Sequence, residues 1–273
     1  NIQLGESNGD DIWTGNGSTQ DIDVGFQPDL VIIKVREAAV NSMVFDSVRG
    51  AMLRLETSSI QKSSDEDPNS LTAFKHNGFA LKDDSNGSYQ VNGSAGGTYS
   101  GSSGGYVGWA WKAGGSTHAF NIDGQGYTSA TAAGLDGGDI NPSGASINTS
   151  TGFSILKYAG NQGTGQTLNH GLGEIPDFVM CKNLDTNYNW FIWHNDFGNG
   201  ADAAIYFTDA AKTTGYVTQP FEAFTSTNLA FNGANDGVNG NDDYICYAWK
   251  NVPGVQKFGS YEGNGNVNGP YVE

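Results

Sequence analysis

The chain repeats itself, and that repetition limits its fold more than any other feature. Gly25-Phe26-Gln27-Pro28-Asp29-Leu30-Val31-Ile32-Ile33-Lys34 returns as Gly173-Glu174-Ile175-Pro176-Asp177-Phe178-Val179-Met180-Cys181-Lys182, at an offset of 148. Tyr106-Val107-Gly108-Trp109-Ala110-Trp111-Lys112 returns as Tyr244-Ile245-Cys246-Tyr247-Ala248-Trp249-Lys250, at an offset of 138. The first copy therefore carries ten more residues between its landmarks, a surplus assigned to the Gly/Ser tract from Asn92 to Gly105. A third landmark opens each copy: Trp13-Thr14-Gly15-Asn16-Gly17, Tyr158-Ala159-Gly160-Asn161 and Tyr261-Glu262-Gly263-Asn264-Gly265. Two full units and the beginning of a third follow from this order.

The repeated segments read as β-strands. Val107, Trp109 and Trp111 alternate with Tyr106, Gly108 and Ala110, and the second copy keeps that parity, so register and burial are expected to be shared. Leu30 to Ile33 and Phe178 to Cys181 are unbroken apolar runs, as in strands covered on both faces, and the Pro before each suits a strand entrance. An aromatic followed by Gly-Asn is a strand running into a turn. Helical signals are weak: Ala51 to Lys62 and Ala201 to Lys212 hold no sustained apolar period. Many short strands between Gly/Asn turns predict an all-β chain of two tandem β-sandwich units of jelly-roll or lectin-like type, plus the start of a third. The expected divisions are 1–113, a Gly/Ser/Thr-rich connector at 114–150 in which Phe120 to Tyr127 adds a strand, 151–254, and 255–273.

Composition narrows the partners. Forty glycines lack a collagen period, and 12% aromatics with only 15% charged residues separate the chain from disordered ones. A formal charge of −16 disfavours nucleic acid and anionic membranes, and no stretch is apolar enough to cross a bilayer. The first residue is Asn1 rather than Met, which reads as a fragment or a processed product. Cys181 and Cys246 lie in apolar strand-like runs and read by default as buried thiols; a disulfide requires those strands to be neighbours, which the sequence leaves open.

Chemistry is sparse. His76, His118, His170 and His194 are scattered, and no nucleophile elbow, zincin motif, Walker loop or CxxC is present. The acidic clusters Asp65-Glu66-Asp67, Asp83-Asp84 and Asp242-Asp243 fall in polar turns or at strand edges, unlike the buried carboxyl that general-acid chemistry needs. Asp123, Asp136, Asp139 and Asp236 sit in oxygen-rich turns of the kind Ca²⁺ uses, without a complete EF-hand or RTX pattern; no other cofactor is implied. For glycan recognition the available aromatics beside Asn-rich turns are Trp190, Trp193, Tyr188 and Trp13. Trp190 and Trp193 are three apart and face opposite sides of an extended segment, which puts at least one in the core.

These landmarks resemble a family of repeated β domains in virion proteins of tailed bacteriophages, particularly marine podovirus-like phages. The matching pieces are the aromatic-led Gly-Asn turns, His170-Gly171-Leu172-Gly173 leading to Pro176-Asp177, and Asn189-Trp190-Phe191-Ile192-Trp193-His194. Tyr244 to Trp249 and Lys257-Phe258-Gly259-Ser260-Tyr261 match as well. In such proteins the third unit continues past Gly269-Pro270-Tyr271-Val272, whereas here the sequence stops at Glu273. The resemblance implies a non-enzymatic virion structural protein: a tail fibre, tail-associated protein or capsid appendage, displayed on the particle surface. It implies contacts with other virion proteins and host-surface glycans, as a homo-oligomer without membrane insertion. The alternatives are a carbohydrate-binding module outside any virus and a tail depolymerase. The first copy has no equivalent of His170 and reads Met43-Val44-Phe45-Asp46 where the second reads Phe191-Ile192-Trp193-His194, so neither histidine has a chemical role common to both units.

Overall fold

The computed structural model describes residues 2–4, 13–82, 91–96, 104–115, 118–200, 202–207, 211–215, 219–233 and 235–271. The Asp83-Asp84 cluster, half of the Gly/Ser tract, and parts of the Ala201 to Lys212 segment lie outside the described residues. The first half contributes β1 (Ile2–Leu4), β2 (Trp13–Thr14), β3 (Gln20–Asp23), β4 (Leu30–Val35) and β5 (Met43–Asp46). It continues through β6 (Gly50–Glu56), β7 (Leu71–Lys75), β8 (Gly78–Leu81) and β9 (Gly105–Trp111). The connector forms β10 (Phe120–Ile122), β11 (Gln125–Tyr127) and β12 (Pro142–Asn148). The second half holds β13 (Phe153–Ala159), β14 (Gln166–Asn169), β15 (Phe178–Asn183) and β16 (Phe191–His194). It ends with β17 (Ala203–Ala204), β18 (Thr213–Thr214), β19 (Asn228–Phe231) and β20 (Asp243–Trp249). A four-residue α-turn at Asp236–Asn239 and a 3-10 turn at Asn195–Phe197 are the helical pieces among the described residues. Ala51 to Lys62, with its weak helical signal, is β6 and the loop after it.

The protein is all-β. One large sheet runs β1-β9-β4-β5-β6, with β2 also on β9; the other runs β11-β10-β12-β13-β20-β15-β16. The connector is thus no loose tether, because β12 pairs antiparallel with β13 and extends the second sheet. Smaller sheets, β3-β8-β7 and β14-β19, cover the outer faces. Val31, Ile33 and Phe45 from the first large sheet pack with Ile22, Leu71 and Phe79 from its cover. In the second half Val179, Trp193 and Cys246 pack with Leu168, Leu229 and Phe231.

Side-chain alternation leaves the opposite faces of β4 and β15 to be buried elsewhere. They bury against each other: Leu30, Val44, Leu55 and Ala113 from the first half meet Ile155, Met180, Trp190, Ile192 and Tyr247 from the second. Both sheets are covered on both sides, which is why the β4 and β15 sequences read as continuous apolar runs. Complete burial of such a side chain stabilises by about 1.5–3 kcal/mol. The bulky faces of β9 and β20 take part unequally. Ile245, Tyr247 and Trp249 are buried, whereas Val107, Trp109 and Trp111 are half-buried.

Residues related by the two offsets pair in the same register. Leu30 opposes Trp111 and Val35 opposes Tyr106, while Phe178 opposes Trp249 and Asn183 opposes Tyr244. Leu30 also opposes Asp46 and Phe178 opposes His194, again at corresponding positions. This register places Cys181 directly across from Cys246, with their Cα atoms 4.3 Å apart, and the two form a disulfide. The default reading as free thiols is therefore corrected. The corresponding first-half pair is Ile33 and Gly108, with the Trp13 ring lying over the glycine.

Candidate functional site

Recurring polar residues in the two halves are tied into the framework in matching ways. Asp29 accepts from Ser47 Oγ at 2.7 Å and from the Ala113 amide at 2.8 Å. Asp177 accepts from Asn195 Nδ2 at 2.6 Å and from the Asn251 amide at 2.5 Å, its counterparts by offset. Each carboxylate thus ties a strand entrance to the next hairpin and to the end of the closing strand. Asp29 also receives Ser146 Oγ from β12 at 3.1 Å. Burial raises its pKa, and these hydrogen bonds oppose that rise.

The lysines that end the core strands recur in the same manner. Lys34 Nζ donates to the carbonyls of Ala38 and Val40, at 3.2 and 2.7 Å. Lys182 Nζ donates to the carbonyl of Tyr188 and, at 2.9 Å, to that of Ile60 in the other half. Burial pushes the Lys182 amine down to about 8, with Glu56 acting in the opposite direction.

The opening landmarks form a plug and socket. Trp13 stacks on Tyr106 with centroids 5.7 Å apart, and Tyr158 stacks on Tyr244 at 5.3 Å. The Gly15 amide donates to the Gly104 carbonyl and that of Gly160 to the Asp242 carbonyl, both at 2.9 Å. A Cβ at Gly15 would lie 2.2 Å from the Gly93 carbonyl oxygen, and one at Gly160 would lie 2.3 Å from that of Gly240. Only glycine allows this approach. The buried Asn92 accepts from the Asn16 amide at 3.3 Å and donates to the Ser18 carbonyl at 2.6 Å. Asn239 does the same for Asn161 at 3.0 Å and Gly163 at 3.0 Å. The Tyr106 and Tyr244 hydroxyls each receive the amide of the glycine that follows the buried Asn, at 2.8 Å. Sequence reading missed Asn92-Gly93 and Asn239-Gly240, although the recurring dipeptide was a usable signal.

The aromatic residues proposed for glycan stacking lie elsewhere than that role requires. Trp13, Trp190 and Trp193 are 3%, 1% and 1% exposed, so they are core side chains without a free face. Trp190 joins the core between the halves, with its indole donating to the Glu56 carbonyl at 2.8 Å, and Trp193 joins the second-half core. Tyr188 alone of the four is half-buried at the surface, and its hydroxyl reaches Asp236 Oδ2 at 3.4 Å.

The four candidate cation ligands are not assembled. Asp123 accepts from the Thr149 amide and hydroxyl at 2.8 and 2.6 Å. Asp139 accepts from the Thr167 hydroxyl and amide at 2.7 and 3.1 Å, and these bonds lower its pKa. Asp136 is exposed on a separate turn, and Asp236 heads the short α-turn beside Tyr188. Among the described residues no three His, Cys, Asp or Glu side chains gather as metal ligands. Turn formation accounts for these aspartates.

His170 is buried in the place that Val24 holds in the first half, two residues off the 148 offset: each follows the last residue of its strand (Asp23, Asn169), and their amides donate to the Asn77 and Thr227 carbonyls. It accepts the Leu172 amide at Nδ1 (3.1 Å), and its Nε2 lies 3.2 Å from the Thr225 carbonyl. Burial pushes its pKa down to about 4, so the neutral ring acts as a fixed spacer. His194 Nδ1 accepts the Asp196 amide at 3.1 Å and caps the 3-10 turn.

Between the first half and the connector lies an open cleft of about 740 Å³, lined among others by Phe26, Gln27, His76, Lys112, Asp123 and Asn148. Its walls come from the strand-entry loop and the β7–β8 turn of the first half, the start of the connector, and the β10–β11 and β12–β13 turns. It offers one aromatic face with amide, cationic and carboxylate groups. No helix among the described residues is long and apolar enough to cross a membrane.

Residues 8–273 match the model of a family described as a domain of unknown function, DUF7483, and the chain belongs to that family. No curated protein and no solved structure matches the chain.

Proposed function

We propose that this DUF7483 chain is a non-catalytic structural module of a bacteriophage virion, built by duplication of one β unit and displayed on the particle surface. The observation that carries the non-catalytic part is the use made of the recurring polar residues. Asp29 and Asp177, Lys34 and Lys182, and Asn92 and Asn239 each hold backbone or side chain of their own fold. A duplication that preserves fasteners serves rigidity and packing. The virion setting is supported by the resemblance of the repeated landmarks to phage virion domains. The cleft around Phe26 and Lys112 supports weak contacts with host-surface glycans, which many displayed copies strengthen through avidity.

Immunogold labelling of purified particles with antibody to this chain tests the setting. Decorated particles support it, and unlabelled particles overturn it. Release of new reducing ends from host polysaccharide by the purified chain would overturn the non-catalytic reading. A glycan array compared with Phe26→Ala and Lys112→Ala tests attachment through the cleft.

A further inference from the structure

The offsets that align the two halves also mark where they differ, and one difference falls at the cleft. Phe26 corresponds to Glu174, and Lys112 to Lys250. In the second half Lys250 Nζ pairs with the Glu174 carboxylate at 2.7 Å. In the first half an aromatic ring stands in place of that carboxylate, and among the described residues Lys112 has no ion-pair partner. Gly114 and Gly115 correspond in the same way to Val252 and Pro253. There the second half closes on itself. Val252 pairs with Gln256, whose Nε2 donates to the Thr151 and Lys250 carbonyls at 2.9 and 2.8 Å. Around Gly115 the space is open instead, since a Cβ there would meet only Gln27 Nε2, at 4.0 Å.

The walls of the cleft are fixed by the fold. Asn148 Oδ1 accepts the Ser150 and Thr151 amides at 3.1 and 2.9 Å, and the Thr151 hydroxyl donates to the Lys112 carbonyl at 3.3 Å. Thr149 holds the Asp123 carboxylate through its amide and hydroxyl. Lys112 and Asp123 both line the cleft without pairing, so a ligand finds one cation and one carboxylate already placed.

That set of groups selects a ligand. An unpaired ammonium favours one anionic group, while Asp123 repels a second and accepts hydroxyl protons. The Phe26 ring suits an apolar C–H face. A sugar carrying a single carboxylate meets all three demands. A dense polyanion sets its further charges against Asp123, and a neutral sugar leaves Lys112 unused. The net charge of −16 opposes an anion at long range. At ~0.15 M salt that field is screened beyond about 8 Å, whereas an ammonium–carboxylate contact acts at about 3 Å.

We propose that this cleft binds uronic-acid residues of acidic polysaccharides. The Lys112 ammonium takes the sugar carboxylate, the Phe26 ring lies under its C–H face, and Asp123 accepts from its hydroxyls. The assignment rests on the glycan-attachment reading above and narrows it to one class of sugar.

NMR titration of the full chain tests it, with oligomers of galacturonate, glucuronate and mannuronate, each beside its carboxyl-reduced neutral counterpart. At least one uronate oligomer should bind about 3–5-fold more tightly than its reduced form, the range of an exposed ion pair. Lys112→Gln should abolish that ratio. So should Phe26→Glu, which gives Lys112 the partner that Lys250 has, whereas Lys250→Gln should leave it unchanged. Equal affinity for acidic and reduced oligomers, with both lost in Phe26→Ala, overturns the uronate assignment and leaves glycan attachment through the cleft standing. A uronate preference that survives Lys112→Gln overturns the assignment to this cleft. Binding of none of the oligomers overturns both readings.

Discussion

The Tyr247 hydroxyl donates to the Asp46 carboxylate at 2.6 Å, joining residues 201 positions apart from opposite halves of the chain. Arg49 completes the group, with Nε 2.5 Å from the same carboxylate and side chains that are 2% and 0% exposed. Tyr247→Phe removes one donor from a buried carboxylate and should cost about 1–3 kcal/mol. Arg49→Met leaves that carboxylate without its cation and should cost more, about 3–5 kcal/mol. Urea unfolding of the single and double variants checks both values, and the double-mutant cycle should give a coupling well above zero.

Glycine substitutions should separate the two tightly packed landmark glycines from Gly263, around which the structure is open. Gly15→Ala and Gly160→Ala each force a Cβ against a backbone carbonyl and should lower stability by ~1–3 kcal/mol. Gly263→Ala should leave the unfolding midpoint of the monomer unchanged, since space around it is open. Equal losses at all three glycines would refute the seating geometry.

His170 gives stability a pH dependence with a definite sign. Its folded pKa of about 4 lies below the unfolded value near 6.5, so the unfolded chain takes up the proton first as pH falls. The contribution is complete above pH 6.5 and is lost progressively towards pH 4. The stability of the parent minus that of His170→Val, which installs the residue found at Val24, should therefore fall steadily from pH 7 to pH 4. Thermal melts across this range, taken as differences between the two proteins, cancel the carboxylate titrations common to both.

The disulfide spans 65 residues and clamps the neighbouring strands β15 and β20 of the second large sheet. A Cys181→Ala/Cys246→Ala variant should lose about 2–4 kcal/mol in chemical denaturation. Reduction of the parent should approach the same value.

Trp190→Ala and Trp193→Ala should each cost about 3–5 kcal/mol, because each empties a core site. Under conditions where the variants stay folded, their glycan-array profiles should equal that of the parent. A specific loss of glycan signal without loss of stability would return these residues to a binding role.

Much of the strand framework was legible in the chain. Parity in Tyr106 to Trp111 and Tyr244 to Trp249 determined which residues share a face, since strand side chains alternate whatever they pack against. The paired offsets determined register, because a one-residue slip would turn every buried side chain outward. Sequence could not say what each face meets. That the bulky faces turn towards each other between the halves, that Cys181 lies across from Cys246, and that Trp190 and Trp193 are both enclosed are consequences of how distant strands come together. The same holds for the candidate ligands: Asp123 and Asp139 carry the right oxygens, but only the folded backbone brings Thr149 and Thr167 to them. Local patterns record the periodicity of a strand and the freedom of a glycine; burial, pairing and exposure depend on contacts across many tens of residues, and these the tertiary structure alone decided.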